Sequence, residues 1–359
     1  MKNKFITIPL LFIMIAVLFS ACSTSSLTSG QSWPGLTADS EAGAVYLANG
    51  SKIYAVDADS GSLIWSYPEK PSNRQTFYAK PAIAGDQLII ADLKDSVIGL
   101  DIESGNEKWV FDGADDRFIG GAVFANDTIF APSADYNVYA LDLYGKEQFR
   151  METKQFNWST PVVDGDVLYL TSMDHYLYAF DTTNGDLIWK IDMGGPMNGS
   201  PALAENVLYV GTINKEIIAV SAQTGKFIWR TPVDSYVWAS PVVVDDMVLV
   251  GDESGKVYSL DIENGKMNWT AEVGSSITAS VTVLGENIVV VSHDRVVIAF
   301  NFDGGKEWTR TVPDSAGTLC SNPVVINDLM IIPLTQGSES MLAAFDSNGN
   351  QTWTFMPQN

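Results

Sequence analysis

Short apolar runs separated by polar turns follow one another along most of the chain. The segment ending at Trp269 predicts four strands, with apolar runs at residues 241–244, 247–251 and 256–261 and a fourth run that reaches the tryptophan. Turns rich in Asp, Asn and Gly separate these runs, and such residues favour tight chain reversals. Apolar residues at helical spacing are absent from the segment. It therefore predicts four short antiparallel strands.

The same pattern occurs eight times. Each repeat ends in a variant of A-x-D-x-x-[TSN]-G-x-x-x-W, such as AVDADSGSLIW at residues 55–65, and the final aromatic residues are 39 to 45 residues apart. They are Trp65, Trp109, Phe149, Trp189, Trp229, Trp269, Trp308 and Trp353. Four short strands per repeat of about forty residues predict an all-β fold, an eight-bladed β-propeller of four-stranded antiparallel blades.

The repeated glycine, aspartate and tryptophan each have a structural explanation. A glycine such as Gly61 supplies a positive φ where the last hairpin reverses. An aspartate such as Asp57 can accept backbone N–H bonds in that turn. The tryptophan suits packing between adjacent sheets, with its indole N–H bound by a neighbouring carbonyl. We therefore assign these residues to the fold, and we predict no catalytic residue among them.

The order of the runs predicts how the ring is built. Each repeat starts with its inner strand, after a step that usually joins a small residue to proline, and ends with its outer strand. Pro34 begins the first repeat and Trp353 lies in the last strand of the eighth. Ring closure is therefore expected to depend on packing between the terminal blades, without a strand shared by the two ends of the chain.

The repeat resembles the PQQ-like β-propeller repeat over residues 32–359, which we predict to form a single domain. With its eight repeats and the sequence LFSAC at residues 18–22, which resembles a bacterial lipobox, the chain is similar to the BamB-like lipoproteins of the bacterial outer-membrane barrel-assembly machinery. That resemblance implies a scaffold that binds another envelope protein. Because propellers of this type also serve dehydrogenases and sensor domains, the repeat indicates the fold more specifically than the function.

The N-terminus has the features of an export signal. Lys2 and Lys4 precede an apolar run at residues 5–19, shorter than the roughly twenty residues of a membrane span. Residues 18–22, LFSAC, resemble a bacterial lipobox, which predicts a lipoprotein signal peptide at residues 1–21 and acylation of Cys22. Residues 22–31 then form a flexible tether. The alternative is a plain secretory signal with an incidental cysteine.

Lipidation of Cys22 predicts a location at the extracytoplasmic face of a bacterial membrane, held by the lipid anchor alone. Ser23 occupies the place of the aspartate that marks inner-membrane retention, which by family rules favours the outer membrane in a diderm host.

Charge and cysteine content exclude one class of ligand and one source of stability. The formal net charge of −22 repels phosphate backbones, so nucleic-acid binding is excluded. If Cys22 is lipidated, Cys320 has no disulfide partner, and stability must come from the hydrophobic core.

A candidate binding face follows from the strand order. The loops that lead into the first strands and the turns between second and third strands emerge on the same face of a propeller. Aromatic and charged residues there suit a peptide, a glycan or a flat ligand. We assign to this face Tyr78, Arg117, Phe118, Trp158, Asn198, Tyr236, Trp238, His175 and His293. The alternative is that several of the aromatic residues only cap the blades and fill the channel mouth.

The two histidines, His175 and His293, each adjoin an aspartate. A metal site would need a third or fourth ligand converging on them. We therefore expect two surface-loop histidines and no metal.

These observations predict a monomeric, non-enzymatic scaffold with an envelope protein as its partner and no cofactor. The alternative is a surface receptor for a carbohydrate or another small ligand that stacks on Trp158 and Trp238. A PQQ-dependent dehydrogenase fits less well, because those enzymes carry a vicinal cysteine pair beneath the cofactor and this chain has no Cys-Cys pair.

Overall fold

The computed structural model describes residues 33–71, 75–312, 317–335 and 340–357. The predicted signal peptide and tether, including Cys22, lie outside the described residues. Within the described ranges the chain forms eight sheets of four antiparallel strands and no helix. Those ranges accordingly include no helix that is long and apolar enough to cross a membrane.

The strands follow one another blade by blade. Blade 1 contains β1 (Gly35–Asp39), β2 (Ala44–Asn49), β3 (Lys52–Asp57) and β4 (Leu63–Tyr67). Blade 2 contains β5 (Ala82–Ala84), β6 (Gln87–Ala91), β7 (Val97–Asp101) and β8 (Glu107–Phe111). Blade 3 contains β9 (Val123–Ala125), β10 (Thr128–Pro132), β11 (Asn137–Leu141) and β12 (Glu147–Glu152). Blade 4 contains β13 (Val162–Asp164), β14 (Val167–Thr171), β15 (Tyr176–Asp181) and β16 (Leu187–Asp192).

The second half of the ring repeats this arrangement. Blade 5 contains β17 (Ala202–Ala204), β18 (Val207–Thr212), β19 (Glu216–Ser221) and β20 (Phe227–Pro232). Blade 6 contains β21 (Val242–Val244), β22 (Met247–Gly251), β23 (Lys256–Asp261) and β24 (Met267–Glu272). Blade 7 contains β25 (Thr282–Leu284), β26 (Asn287–Val291), β27 (Val296–Phe300) and β28 (Lys306–Thr311). Blade 8 contains β29 (Val324–Ile326), β30 (Leu329–Pro333), β31 (Leu342–Phe345) and β32 (Gln351–Phe355).

The hydrophobic core lies between the blades. Successive side chains of a strand point to opposite faces of its sheet. In β18, Leu208 and Val210 pack against blade 4, whereas Tyr209 packs against blade 6. Both faces of a blade are therefore covered by neighbouring sheets, which explains why its two middle strands are almost fully apolar. The predicted eight-bladed propeller is confirmed.

The first strand of each blade is the inner one. First strands of neighbouring blades pack side by side, with β5 beside β9, β17 beside β21 and β25 beside β29. The first strands therefore line the channel, and the fourth strands form the outer rim, as the sequence predicts.

The ring closes by packing between blades 1 and 8. Each of these sheets is built from consecutive strands, so they share no strand. Strand β1 lies beside β29, and Leu47 shares an apolar cluster with Ile331. The indole Nε1 of Trp353 donates to the carbonyl oxygen of Ala58 at 3.0 Å. The predicted mode of closure is confirmed.

The repeated tryptophan and glycine meet at each blade interface. Between blades 4 and 5, Trp189 Nε1 donates to the Ala222 carbonyl at 3.0 Å, and the indole covers Gly225. Gly225 has a φ of +66°, and a Cβ at this position would lie 2.8 Å from Trp189 Cε3. Glycine is therefore required both for the backbone conformation and for the contact.

Candidate binding surface

The leading loops and the turns between second and third strands interlock on one face of the ring, which we call the top face. Val237 N–H, in the loop leading into blade 6, donates to the Thr212 carbonyl of the blade 5 turn at 3.2 Å. Glu253 N–H, in the blade 6 turn, donates to the Tyr236 carbonyl of the same leading loop at 2.9 Å. The leading loops of blades 2, 3 and 7 are bonded on both sides in the same way, so backbone hydrogen bonds hold much of the top face in place.

Residues of the leading loops alternate between the core and the channel mouth. Before blade 6, Val237 and Ala239 are buried, whereas Trp238 and Ser240 are only partly buried. The position of Trp238 recurs in blades 2 to 8, and its side chains are partly buried in each; we call them the mouth residues. They are Tyr78, Ile119, Trp158, Asn198, Trp238, Thr278 and Cys320. The structure therefore brings together four predicted residues, Tyr78, Trp158, Asn198 and Trp238, and adds three that sequence reasoning missed.

Phe118 does not belong to this surface. Its side chain is 0% exposed and packs between blades 2 and 3, with its ring edge against Tyr139 at a centroid distance of 6.0 Å. It precedes the mouth residue Ile119 by one position, and a shift of one residue along an extended segment reverses the direction of the side chain. The prediction that Phe118 contributes to the binding face was wrong for this reason.

An aromatic run connects the blade 3 turn to the channel mouth. Phe156 stacks on Trp158 with ring centroids 6.2 Å apart, and Tyr136 lies 5.6 Å from Phe156. The Nε1 atoms of Trp158 and Trp238 are buried and have no hydrogen-bond partner among the described residues. Solvent does not reach either N–H, so each is an unsatisfied buried donor, which costs free energy.

Two charged side chains lie beside the mouth residues, namely Arg117 of the predicted face and Lys215, which contacts Tyr236 of that face. Arg117 is exposed, with its Nε 3.7 Å from Asp116 Oδ1. Lys215 Nζ lies 5.6 Å from the centre of the Tyr236 ring. Exposed contacts of this kind contribute little to stability, so these side chains can reorient toward a ligand.

The two histidines occupy the turns of different blades. His175, in blade 4, is exposed and has a φ of +76°. His293, in blade 7, is partly buried, and its Nε2 lies 2.8 Å from Oγ1 of the mouth residue Thr278. In the described part of the chain, no group of three or more His, Cys, Asp or Glu residues could hold a metal ion.

The chain matches a known protein family along nearly its whole length. The family model described as outer membrane protein assembly factor BamB matches residues 23–146, 116–236, 173–270 and 237–355. The chain belongs to the BamB family. The predicted resemblance to PQQ-like and BamB-like propellers is thereby confirmed.

Individual relatives add to this assignment. The outer membrane protein assembly factor BamB of Bordetella pertussis is 29% identical over 116 residues, or 32% of this chain and 30% of the Bordetella protein. The crystal structure of BamB from Moraxella catarrhalis superposes with a TM-score of 0.74 at 17% identity, covering 90% of this chain and 96% of that one. The computationally designed Ika8 protein gives a TM-score of 0.73 at 14% identity, covering 89% and 98%. At these identities the structural matches show the fold alone.

This BamB-family chain also has an exposed apolar surface that sequence reasoning missed. It lies at the start of the outer strands β16, β20 and β24 in three consecutive blades, and its side chains are 41–49% exposed. We call it the outer apolar row, and it consists of Leu187, Ile188, Phe227, Ile228 and Met267. The signal is visible in the sequence as LIW and FIW triplets, but these apolar residues are hidden within the structural repeat.

A hollow of about 420 Å³ adjoins this row between blades 4 and 5. Its walls include Tyr169, Ile188 and Trp189 of blade 4 and Asn206 and Gln223 of blade 5. Asp164 and Ser221 also line it, so the hollow offers polar groups beside the apolar side chains of Ile188 and Tyr169.

Proposed function

We propose that this BamB-family chain is a protein-binding scaffold of the bacterial cell envelope that serves outer-membrane protein assembly. The family description and the Bordetella relative both carry that role in their names, which supports the setting. The fold adds a rigid ring whose outer strands each have one edge unpaired within the described residues.

The outer apolar row is the observation that carries this proposal. The two positions before the repeated aromatic residue hold polar or charged side chains in blades 2, 3 and 7, namely Glu107 and Lys108, Glu147 and Gln148, and Lys306 and Glu307. The fold therefore does not require apolar residues at these positions. Contiguous exposed apolar groups on a soluble surface are typical of binding sites.

The expected occupant is an extended segment of another protein with alternating apolar side chains. Strand β20 is the last strand of its sheet, so its outward N–H and C=O groups can pair with an added strand. Phe227 and Ile228 would then contact the apolar side chains of that segment, and the hollow beside Ile188 could receive one of them.

We further propose that lipidated Cys22 attaches the chain to the periplasmic side of the outer membrane. A tether at residues 22–31 would leave a monomeric ring free to turn its outer rim toward a partner. The predicted receptor for a carbohydrate or another small ligand at Trp158 and Trp238 stays a prediction.

The proposal is tested by complementation in a host strain lacking this gene. We expect the Ile188→Glu/Ile228→Glu double variant to leave outer-membrane β-barrel proteins depleted, because charge at the row prevents strand addition. Gln148→Glu, at the matching position of blade 3, should restore them. The readout is the amount of folded barrel protein on heat-modifiability gels, with thermal unfolding of both purified variants as a folding control. Full restoration by a folded double variant would contradict the proposal.

A further inference from the structure

The residues that open blades 2 to 8 line the channel, and hydrogen bonds join them in two runs, Gly121 to Ser240 and Ser280 to Asn322. Gly121 N–H donates to Thr160 Oγ1 at 3.2 Å, and Thr160 N–H donates to Ser200 Oγ at 3.0 Å. Ser200 N–H donates to Ser240 Oγ at 2.9 Å. The same step occurs between Ser280 N–H and Asn322 Oδ1 at 2.7 Å. We call these residues, together with Lys80, the channel ring, and list them in order as Lys80, Gly121, Thr160, Ser200, Ser240, Ser280 and Asn322.

Several hydroxyl groups of the channel ring donate no hydrogen bond within the described residues. The oxygens of Thr160, Ser200 and Ser240 each accept a backbone N–H, and within the described residues none of these hydroxyls donates to an acceptor. Ser280 Oγ is buried and has no partner among the described residues. A hydroxyl has one donor and two acceptor sites, so the O–H groups of the partly buried Thr160, Ser200 and Ser240 can donate to a molecule in the channel. The Ser280 hydroxyl would reach the channel by rotating about χ1.

Lys80 adds a positive charge to this ring. A Cβ on Gly121 would lie 3.1 Å from Lys80 Cβ, which places Lys80 beside Gly121. None of the ion pairs of the described residues includes Lys80, although the chain has 43 acidic and 21 basic residues.

Lys80 is exposed to solvent but is also surrounded by protein atoms. Its side chain is reached by solvent, yet burial lowers its pKa. Both statements hold because a channel wall has water on one side and dense protein on the others. Lys80 is thus an exposed lysine that forms no ion pair with a carboxylate among the described residues.

We propose that the channel ring binds a small oxyanion, a carboxylate or phosphate group, with Lys80 as its counter-ion and the ring hydroxyls as hydrogen-bond donors. An oxyanion would form a charge-assisted bond with the Lys80 ammonium and would accept hydrogen bonds from the ring hydroxyls. This site is separate from the outer apolar row and does not depend on it.

NMR of the lysine side chains in the folded chain tests this site directly. The protein is labelled at lysine Cε and titrated with inorganic phosphate and, separately, with citrate, with sodium chloride as the ionic-strength control. The Lys80 signal, assigned by its loss in Lys80→Met, should shift saturably with a Kd in the range of about 0.01 to 1 mM. Its pKa should rise on binding, because the anion stabilises the ammonium. Saturation by phosphate alone or by citrate alone would tell which oxyanion class fits.

Variants distinguish binding at the channel ring from a general effect of protein charge on anion affinity. Isothermal titration should show at least a tenfold loss of affinity in Lys80→Met and a several-fold loss in Ser280→Ala, whose hydroxyl has no partner to lose among the described residues. Lys226→Met, which removes an exposed lysine on a distant turn, should bind as the parent does. An unmoved Lys80 signal at about 20 mM of both probes would overturn the proposal, as would undiminished binding by folded Lys80→Met.

Discussion

At the scale of single residues, several carboxylates of the top face are committed to the fold. Asp135 Oδ2 accepts the hydroxyl of Tyr139 at 2.5 Å and the N–H of Asp115 at 3.0 Å. Blades 4 and 6 repeat this arrangement, with Asp174 bonded to Tyr178 and Asp252 bonded to Tyr258. Burial and the neighbouring carboxylate raise the pKa of each tyrosine. Each of these aspartates also accepts a backbone N–H of a leading loop, so it links its turn to that loop and stabilises the top face.

The Asp135–Tyr139 bond should make stability depend on pH in a defined direction. Burial alone would raise the pKa of Asp135, but the bonds from Tyr139, Asn137 and Asp115 outweigh it and lower the pKa. The contribution of the bond is then complete above the ordinary Asp pKa of about 4 and is lost as pH falls through the lowered folded value. We expect Tyr139→Phe to lower the free energy of unfolding at pH 7 by about 1 to 2 kcal/mol, since the carboxyl is partly exposed.

Urea unfolding of both proteins between neutral and acid pH measures this effect. The difference between parent and Tyr139→Phe should shrink below about pH 4. Tyr46→Phe is the control, because the buried Tyr46 donates to no carboxylate among the described residues. A Tyr139→Phe difference that stays constant into acid would show that the bond does not lower the pKa of Asp135.

At the scale of elements, the final strand of one blade contacts the last turn of the next blade, in addition to the apolar core between the two sheets. The tryptophan of one blade covers the glycine of the following turn, and its N–H caps a carbonyl of that turn. The seam between blades 8 and 1 uses the same contact, with Trp353 against Gly61. A single repeated motif thus supplies the last hairpin of a blade and one of the contacts with the neighbouring blade.

Two glycines separate the cost of backbone strain from the cost of this contact. Gly61 and Gly85 have φ values of +70° and +62°, but only Gly61 has a close neighbour, with its Cβ position 2.6 Å from Trp353 Cε3. Gly85→Ala should cost about 1 to 2 kcal/mol for the left-handed backbone alone. Gly61→Ala should cost a further 1 to 3 kcal/mol, roughly, because the indole must move. Equal losses in urea unfolding would show that the Trp353 contact does not constrain Gly61.

The sequence predicts the elements well because the repeat is redundant. Eight copies of the same turn and aromatic residue determine blade number, strand order and the mode of closure. The direction of a single side chain is harder to predict, as Phe118 shows. The leading loops contain no turn motif that would determine which residues point toward the channel. The outer apolar row was missed because Ile188 and Ile228 stand beside structural tryptophans, and sequence alone does not tell which side of an outer strand is covered.

At the scale of the whole molecule, a ring of similar blades has an asymmetric outer rim. The chain carries a net charge of −22, yet blades 4, 5 and 6 expose apolar side chains where blades 2, 3 and 7 expose polar or charged ones. Eight similar blades could fold with the same residues at every outer strand. Blade 1 also exposes Leu63 and Ile64 at these positions, but only blades 4, 5 and 6 form a consecutive apolar series among the described residues. We therefore propose this sector of the rim as the binding side.

Site-specific photo-crosslinking in native envelopes tests that sector most directly. A photoreactive phenylalanine is placed at Ile228 in blade 5 or, as the matched control, at Gln148 in blade 3, and the adducts are identified by mass spectrometry. We predict that Ile228 gives adducts with outer-membrane proteins or assembly components, mapped to extended apolar segments, and that Gln148 gives none. Folded protein that yields no adduct at Ile228, or the same adducts at both positions, would contradict a binding role for the outer apolar row.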